Sequence, residues 1–92
     1  MKYYIISNKG KNMQNIDVVR RWTRGVTGKN SNMRTDGSAL YSYDLQIGYT
    51  KRNGDKIVYN YTASGEFKTR TTSKHVVTAR VLADRQEDVP ST

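Results

Sequence analysis

Residues Leu40 to Tyr61 read LYSYDLQIGYTKRNGDKIVYNY, and the fold depends on which way their tyrosines point. From Tyr41 the pattern has period two. Tyr41, Tyr43, Leu45, Ile47 and Tyr49 alternate with Ser42, Asp44, Gln46 and Gly48, which predicts one half-buried strand with its odd positions inward. Ile57, Tyr59 and Tyr61 predict a second strand, and Phe67, Thr69 and Thr71 a weaker third. A two-residue turn at Asn53–Gly54 pairs Tyr49 with Val58 and mixes the two faces. A three-residue loop, Arg52-Asn53-Gly54, pairs Tyr49 with Ile57 and Ile47 with Tyr59 and keeps the apolar side chains together. A one-residue slip reverses every side chain, so the second register is expected, with Gly54 left-handed. Ala63-Ser64-Gly65 repeats the arrangement and brings Tyr61 opposite Phe67.

Outward from this meander the period changes. Between Met13 and Arg24, Ile16, Val19 and Trp22 recur at helical spacing with Val18 alongside, while Asp17, Arg20, Arg21 and Arg24 share another side. Asn12 or Asn15 is available to cap this helix and Gly25 to end it. Residues 25–39 have no period and read as a long loop. Residues 71–86 turn helical again, with Thr72 or Ser73 as cap and Val76, Ala79 and Leu82 or Ala83 as the apolar stripe. KYYII at residues 2–6 reads as an added edge strand. The expected fold is α+β, a three- to four-stranded antiparallel sheet with two helices packed on one face, in the order β-α-β-β-β-α. Residues 1–83 form a single basic domain and residues 84–92 an acidic, flexible tail.

This arrangement makes the tyrosines core. Two apolar helix stripes need a sheet to cover, and tyrosine buries its ring while its hydroxyl reaches the rim. A base-stacking platform needs the same face bare.

Composition points to the partner class. Sixteen Lys and Arg face eight Asp and Glu, a formal net charge of +8. Residues 1–83 carry fifteen basic and five acidic side chains, a body that attracts phosphate backbones or an acidic protein face. The positive charge gathers on Arg20, Arg21 and Arg24 of the first helix, Lys29 and Arg34 of the long loop, and Lys74 at the second helix start, where backbone N–H groups favour anions. Lys68 and Arg70, with Lys56, make the outer sheet face mildly basic. These residues are the candidate contacts to nucleic acid or a partner.

Catalytic chemistry finds little support. His75 is the one histidine and there is no cysteine, so no His/Cys zinc cluster can form. GVTGKNS lacks the glycine spacing and following Ser/Thr of a phosphate loop. Asp36 and Asp44 have no metal-ligand spacing. His75 reads as a helix-start residue bonding a neighbour. No catalytic residue, metal or cofactor is expected. No apolar run approaches the roughly 20 residues that cross a bilayer, so the chain reads as soluble and intracellular, with no membrane partner.

The order helix, three-stranded meander, helix resembles the double-stranded RNA-binding domain in outline, with TTSKH (71–75) at the position of that family's basic helix start. Its KKxAK run and Gly-Pro-His loop are missing, so the likeness is one of element order. NMRTDGSALYSYDLQIG (32–48) followed by TTSKH resembles a recurring pattern in small uncharacterised proteins of phages and mobile elements, over residues 30–80. That resemblance implies no activity; it implies a setting, the cytoplasm of a bacterial host cell, where such proteins bind host or phage machinery, defence complexes included. The expected function is therefore non-enzymatic engagement of nucleic-acid phosphates or of a nucleoprotein. The alternative is a protein-binding, anti-CRISPR-like inhibitor of a host nucleic-acid-handling or defence complex. A small metal-dependent nuclease stands third. Nothing in the sequence supports a homo-oligomer.

Overall fold

A computed structural model describes residues 13–90 and places two helices against one face of a six-stranded mixed sheet. The elements run α1 (Asn15–Thr23), β1 (Gly28–Lys29), β2 (Met33–Thr35), β3 (Leu40–Ser42), β4 (Leu45–Thr50), β5 (Lys56–Tyr59), α2 (Arg70–Arg80) and β6 (Arg85–Glu87). The strands lie side by side in chain order, antiparallel until β6, which pairs parallel to β5. The fold is α+β as expected, but its sheet is larger than three or four strands and is not purely antiparallel. The expected strand at residues 2–6 lies outside the described residues.

Helix α1 forms where the 3.6-residue period predicts it, with Val18, Val19 and Trp22 buried. Its cap is Gln14 rather than Asn12 or Asn15, because the Asp17 carboxylate accepts the Gln14 backbone N–H at 3.2 Å. Asn15 is instead engaged by Asn30, whose Nδ2 donates to Asn15 Oδ1 at 2.9 Å. At the other end Gly25 has φ +74 and donates to Trp22 O, while Val26 donates to Arg21 O at 2.8 Å. These paired bonds stop the helix as a left-handed glycine allows.

Three sequence expectations need correction, each for a local reason. First, residues 25–39 are not structureless: β1 and β2 pair through them, Gly28 with Thr35 and Lys29 with Arg34. The segment Thr35–Ala39 is a hydrogen-bonded turn. Asp36 Oδ1 accepts from Ser38 N and Ala39 N, at 2.9 and 2.8 Å, and Thr35 Oγ1 donates to Ala39 O at 2.6 Å. Strands of two and three residues are too short to show a period.

Second, the alternating run 40–50 is a hairpin rather than one strand. β3 and β4 turn at Tyr43–Asp44 and pair Ser42 with Leu45, Tyr41 with Gln46 and Leu40 with Gly48. Directly opposed residues share a face, so the two-residue turn moves the inward parity from Leu40 and Ser42 to Leu45. Between Gln46 and Gly48 an extra residue, Ile47, makes a bulge and shifts parity once more. Leu40, Ser42, Ile47 and Gly48 are buried, whereas Tyr41 is half-buried on the opposite face.

Third, no strand follows β5 before α2. Ala63-Ser64-Gly65 does turn, but Glu66 N donates back to Asn60 O and Asn60 Nδ2 donates to Ser64 Oγ, closing a polar loop instead of a hairpin. Phe67 is 51% exposed rather than opposite Tyr61. Thr69 caps α2 by accepting Thr72 N–H, three residues before the first expected cap, Thr72, and the helix ends at Arg80, short of the expected residue 86. Residues 85–87, expected in a frayed tail, lie in β6.

The turn of the β4–β5 hairpin follows the sequence reading, but its face does not: Val58 enters the core, and Tyr49, Ile57 and Tyr59 take the outer face. Tyr49 pairs with Ile57, Lys51 N donates to Asp55 O, and Gly54 has φ +95. Val18, Val19, Trp22, Met33, Leu40, Ile47, Val58, Tyr61, Val76 and Ala79 make the core between sheet and helices. Tyr61 is buried, at 8% exposure, as expected of a core tyrosine.

Candidate nucleic-acid interface

The candidate basic residues fall into two groups at different places. Arg20 and Arg21 lie in the C-terminal half of α1 and Arg24 caps it, at the end that meets the turn at Gly37–Ser38: Trp22 Nε1 donates to Ser38 O at 2.9 Å. Arg21 lies along the start of β1, where its Nη1 donates to Thr27 O at 3.2 Å and its methylenes occupy the space a Cβ at Gly28 would need. Lys29 and Arg34 follow as cross-strand partners on β1 and β2, and Arg34 in turn pairs with Tyr41 of β3. Lys29, Arg34 and Tyr41 therefore stand side by side on the sheet face turned away from the helices, a row about 10 Å across at the usual strand spacing. The Arg34 guanidinium lies 4.0 Å from the Tyr41 ring centre, a cation–π contact that orients it.

Lys68, Arg70 and Lys74 do not join this group. They flank the start of α2, at the opposite end of the sheet from the Gly37–Ser38 turn, where Thr72 meets Ser42. Lys68 is held by Glu66 at 2.9 Å, and that carboxylate, first as hydrogen-bond partner and then as charge, raises its pKa. Arg70 and Lys74 are exposed on the first turns of α2. Lys56, expected on the outer face, is turned toward the helices at 7% exposure. Its Nζ donates to Gly37 O at 3.1 Å and Thr50 Oγ1 at 2.6 Å and lies 5.7 Å from the Trp22 ring, and burial lowers its pKa. It is a structural cation.

Acidic groups concentrate at the other edge of the sheet. Arg85 pairs with Asp55 at 3.3 Å and Lys51 with Glu87 at 3.0 Å, both along β5 and β6. Tyr49 donates to Glu87 at 3.0 Å; Lys51, then Tyr49, hold the Glu87 carboxyl below its ordinary pKa. Asp84 accepts the Lys56 backbone N–H at 2.6 Å. On the β1 side, Arg20 has Asp17 at 3.3 Å. Among the described residues no carboxylate lies within ion-pair distance of Arg21, Arg24, Lys29 or Arg34.

The tyrosines divide as the two parity shifts dictate. Tyr49 and Tyr59 stack at 5.4 Å between ring centres on the outer face, and burial raises the pKa of each. Tyr43 occupies the β3–β4 turn at φ +53, with half its surface exposed. Sequence reasoning put Tyr41, Tyr43 and Tyr49 in the core and so left them out of the candidate site. The signal for the turn was Asp44, a turn-forming residue inside the alternating run; the signal for the bulge was Gly48, a glycine within a strand pattern.

His75 is 3% exposed and within bonding distance of Ser42. Among the described residues no three His, Asp or Glu side chains gather where they could hold a metal ion, and no helix is long and apolar enough to cross a membrane. Comparison with known proteins finds no match: no family model, curated protein or solved structure matches the chain.

Proposed function

We propose that this chain is a non-enzymatic binder of nucleic-acid phosphates, acting through the β1 edge without strong sequence preference. The observation that supports it is charge segregation across the sheet. Arg21, Arg24, Lys29 and Arg34 stand on one side without carboxylate partners among the described residues, while Asp55, Asp84 and Glu87 gather at the β5–β6 edge. An uncompensated cationic edge, opposite an edge whose Asp55 and Glu87 are matched by Arg85 and Lys51, orients a protein on a polyanion with the cationic edge inward. The contact set contracts to Arg20, Arg21, Arg24, Lys29 and Arg34. Lys68, Arg70 and Lys74 fall outside it, because Lys68 is paired with Glu66 and Arg70 and Lys74 stand on α2 rather than on the β1 edge.

The likeness to small phage proteins suggests a bacterial host as the setting in which such binding is useful. The test is fluorescence anisotropy with short DNA and RNA probes at increasing salt. Phosphate contacts predict affinity that falls steeply from 50 to 200 mM salt, with a logarithmic slope near −0.9 for each phosphate neutralised on duplex DNA. No affinity for bare probes, together with nuclease-insensitive capture of one stoichiometric host protein, overturns this reading in favour of a protein-binding inhibitor.

A further inference from the structure

At the end of the sheet, the turn after β1 meets the turn after β3. Between them lies a depression of about 260 Å³, lined by Lys29, Asn32, Arg34, Tyr43 and Asp44 among others. We infer that this depression receives one unpaired nucleotide, its base against the Tyr43 ring and its phosphate on Lys29 and Arg34. This rests on the phosphate-binding role proposed above and narrows its substrate class to single-stranded nucleic acid.

Three observations converge. Tyr43 is the one non-glycine residue among those described with a left-handed backbone, and an aromatic side chain rarely adopts it. The conformation is held by Tyr43 N donating to Asn32 O at 2.8 Å, and the hydroxyl reaches Asn32 Oδ1 at 3.4 Å. A strained backbone that presents a half-exposed ring beside a cavity matches the usual location of such strain, at ligand sites.

The charges sort the two ends of a nucleotide. Lys29 and Arg34 are exposed, face the same side and have no carboxylate in ion-pair distance among the described residues. Asp44 shares the lining but is acceptor-only; it repels a phosphate and suits the exocyclic amine of a base. Arg34 is already held against the Tyr41 ring, so less of its freedom remains to be lost when an oxygen binds. A paired base has both π-faces covered by its neighbours and its edge engaged, so a duplex cannot enter. An unpaired base can stack on tyrosine whatever its identity.

The experiment compares ten-nucleotide single strands, of mixed sequence in DNA and RNA, with a hairpin duplex by anisotropy. Wild type, Tyr43→Asn, Tyr43→Trp and Arg24→Ala proteins are each titrated at 100 mM salt. Asparagine tolerates the left-handed backbone, so Tyr43→Asn keeps the fold, which its thermal midpoint checks. Tyr43→Asn is expected to weaken single-strand binding about tenfold and leave duplex binding unchanged, with Tyr43→Trp restoring it. Arg24→Ala is expected to weaken both. Duplex binding equal to single-strand binding, or a Tyr43→Asn change within twofold, overturns the nucleotide site while leaving the phosphate-binding role standing. Absence of binding to every probe overturns both.

Discussion

Ser42 Oγ lies 2.6 Å from His75 Nδ1, and the same oxygen is 3.3 Å from Thr72 Oγ1, so a buried polar triplet ties β3 to the first half of α2. Tyr43 lies over the imidazole at 5.7 Å between ring centres. Ser42 belongs to the LYSYD run and Thr72 and His75 to TTSKH, so the two most distinctive sequence blocks meet here. Serine and histidine so placed invite comparison with a nucleophile and its base, but both are buried and serve as a hydrogen-bonded joint.

That joint makes the fold sensitive to mild acid. Burial holds the His75 pKa below its ordinary 6.5. As pH falls, the unfolded chain takes up the proton first, so ν in the unfolded state exceeds that in the folded state and stability declines. The loss begins near pH 6.5 and continues until pH has passed below the folded-state value. Urea titrations at pH 7.5, 6.5 and 5.5 should show falling midpoints, and His75→Gln should flatten that decline. Ser42→Ala should cost about 1–3 kcal/mol at pH 7.5 by leaving a buried imidazole nitrogen unpaired.

Gly48 faces Trp22 because the Ile47 bulge turned it inward. A Cβ there would lie 2.9 Å from Trp22 Cζ2 and 3.0 Å from Ile57 O. The backbone oxygen cannot swing aside, so Gly48→Ala is expected to lose about 1–3 kcal/mol in urea unfolding. Gly54→Ala meets nothing within 4 Å and should lose only about 1 kcal/mol, from its positive φ alone. Equal losses at both sites would contradict the bulge.

Lys56 is tested through its neighbours. Lys56→Ala removes both the stem that covers Trp22 and the donor to Gly37 O and Thr50 Oγ1. Lys56→Met keeps the stem and should be the less destabilised of the two, with the alanine variant losing about 2 kcal/mol or more. Urea unfolding followed by Trp22 fluorescence reads both.

The two groups of basic residues should separate in binding. Arg21→Ala, Arg24→Ala, Lys29→Ala or Arg34→Ala should each weaken nucleic-acid binding and reduce the salt slope by about 1 if the side chain neutralises one phosphate. Lys68→Ala, Arg70→Ala and Lys74→Ala should leave both quantities unchanged. Anisotropy titrations at 50, 100 and 200 mM salt decide; losses of the same size in the second group would remove the β1 edge as the interface.

What residue order determined alone was local. The stripe of Val19 and Trp22 with Gly25 beyond it specifies α1, and Arg52-Asn53-Gly54 specifies the β4–β5 register, because period and turn chemistry act over a few residues. The inward direction of Ile47 and Tyr61 was legible for the same reason. The tertiary structure alone decided which tyrosines face out, since alternation carries parity only until a turn or bulge resets it, and that choice depends on Trp22 pressing against Gly48. It also decided the pairing of β6 beside β5, a parallel contact made through a helix, and the grouping of Arg21, Lys29 and Arg34 apart from Lys68, Arg70 and Lys74. Charge counts add along a chain, but a surface is made of whatever the packed core leaves on the outside.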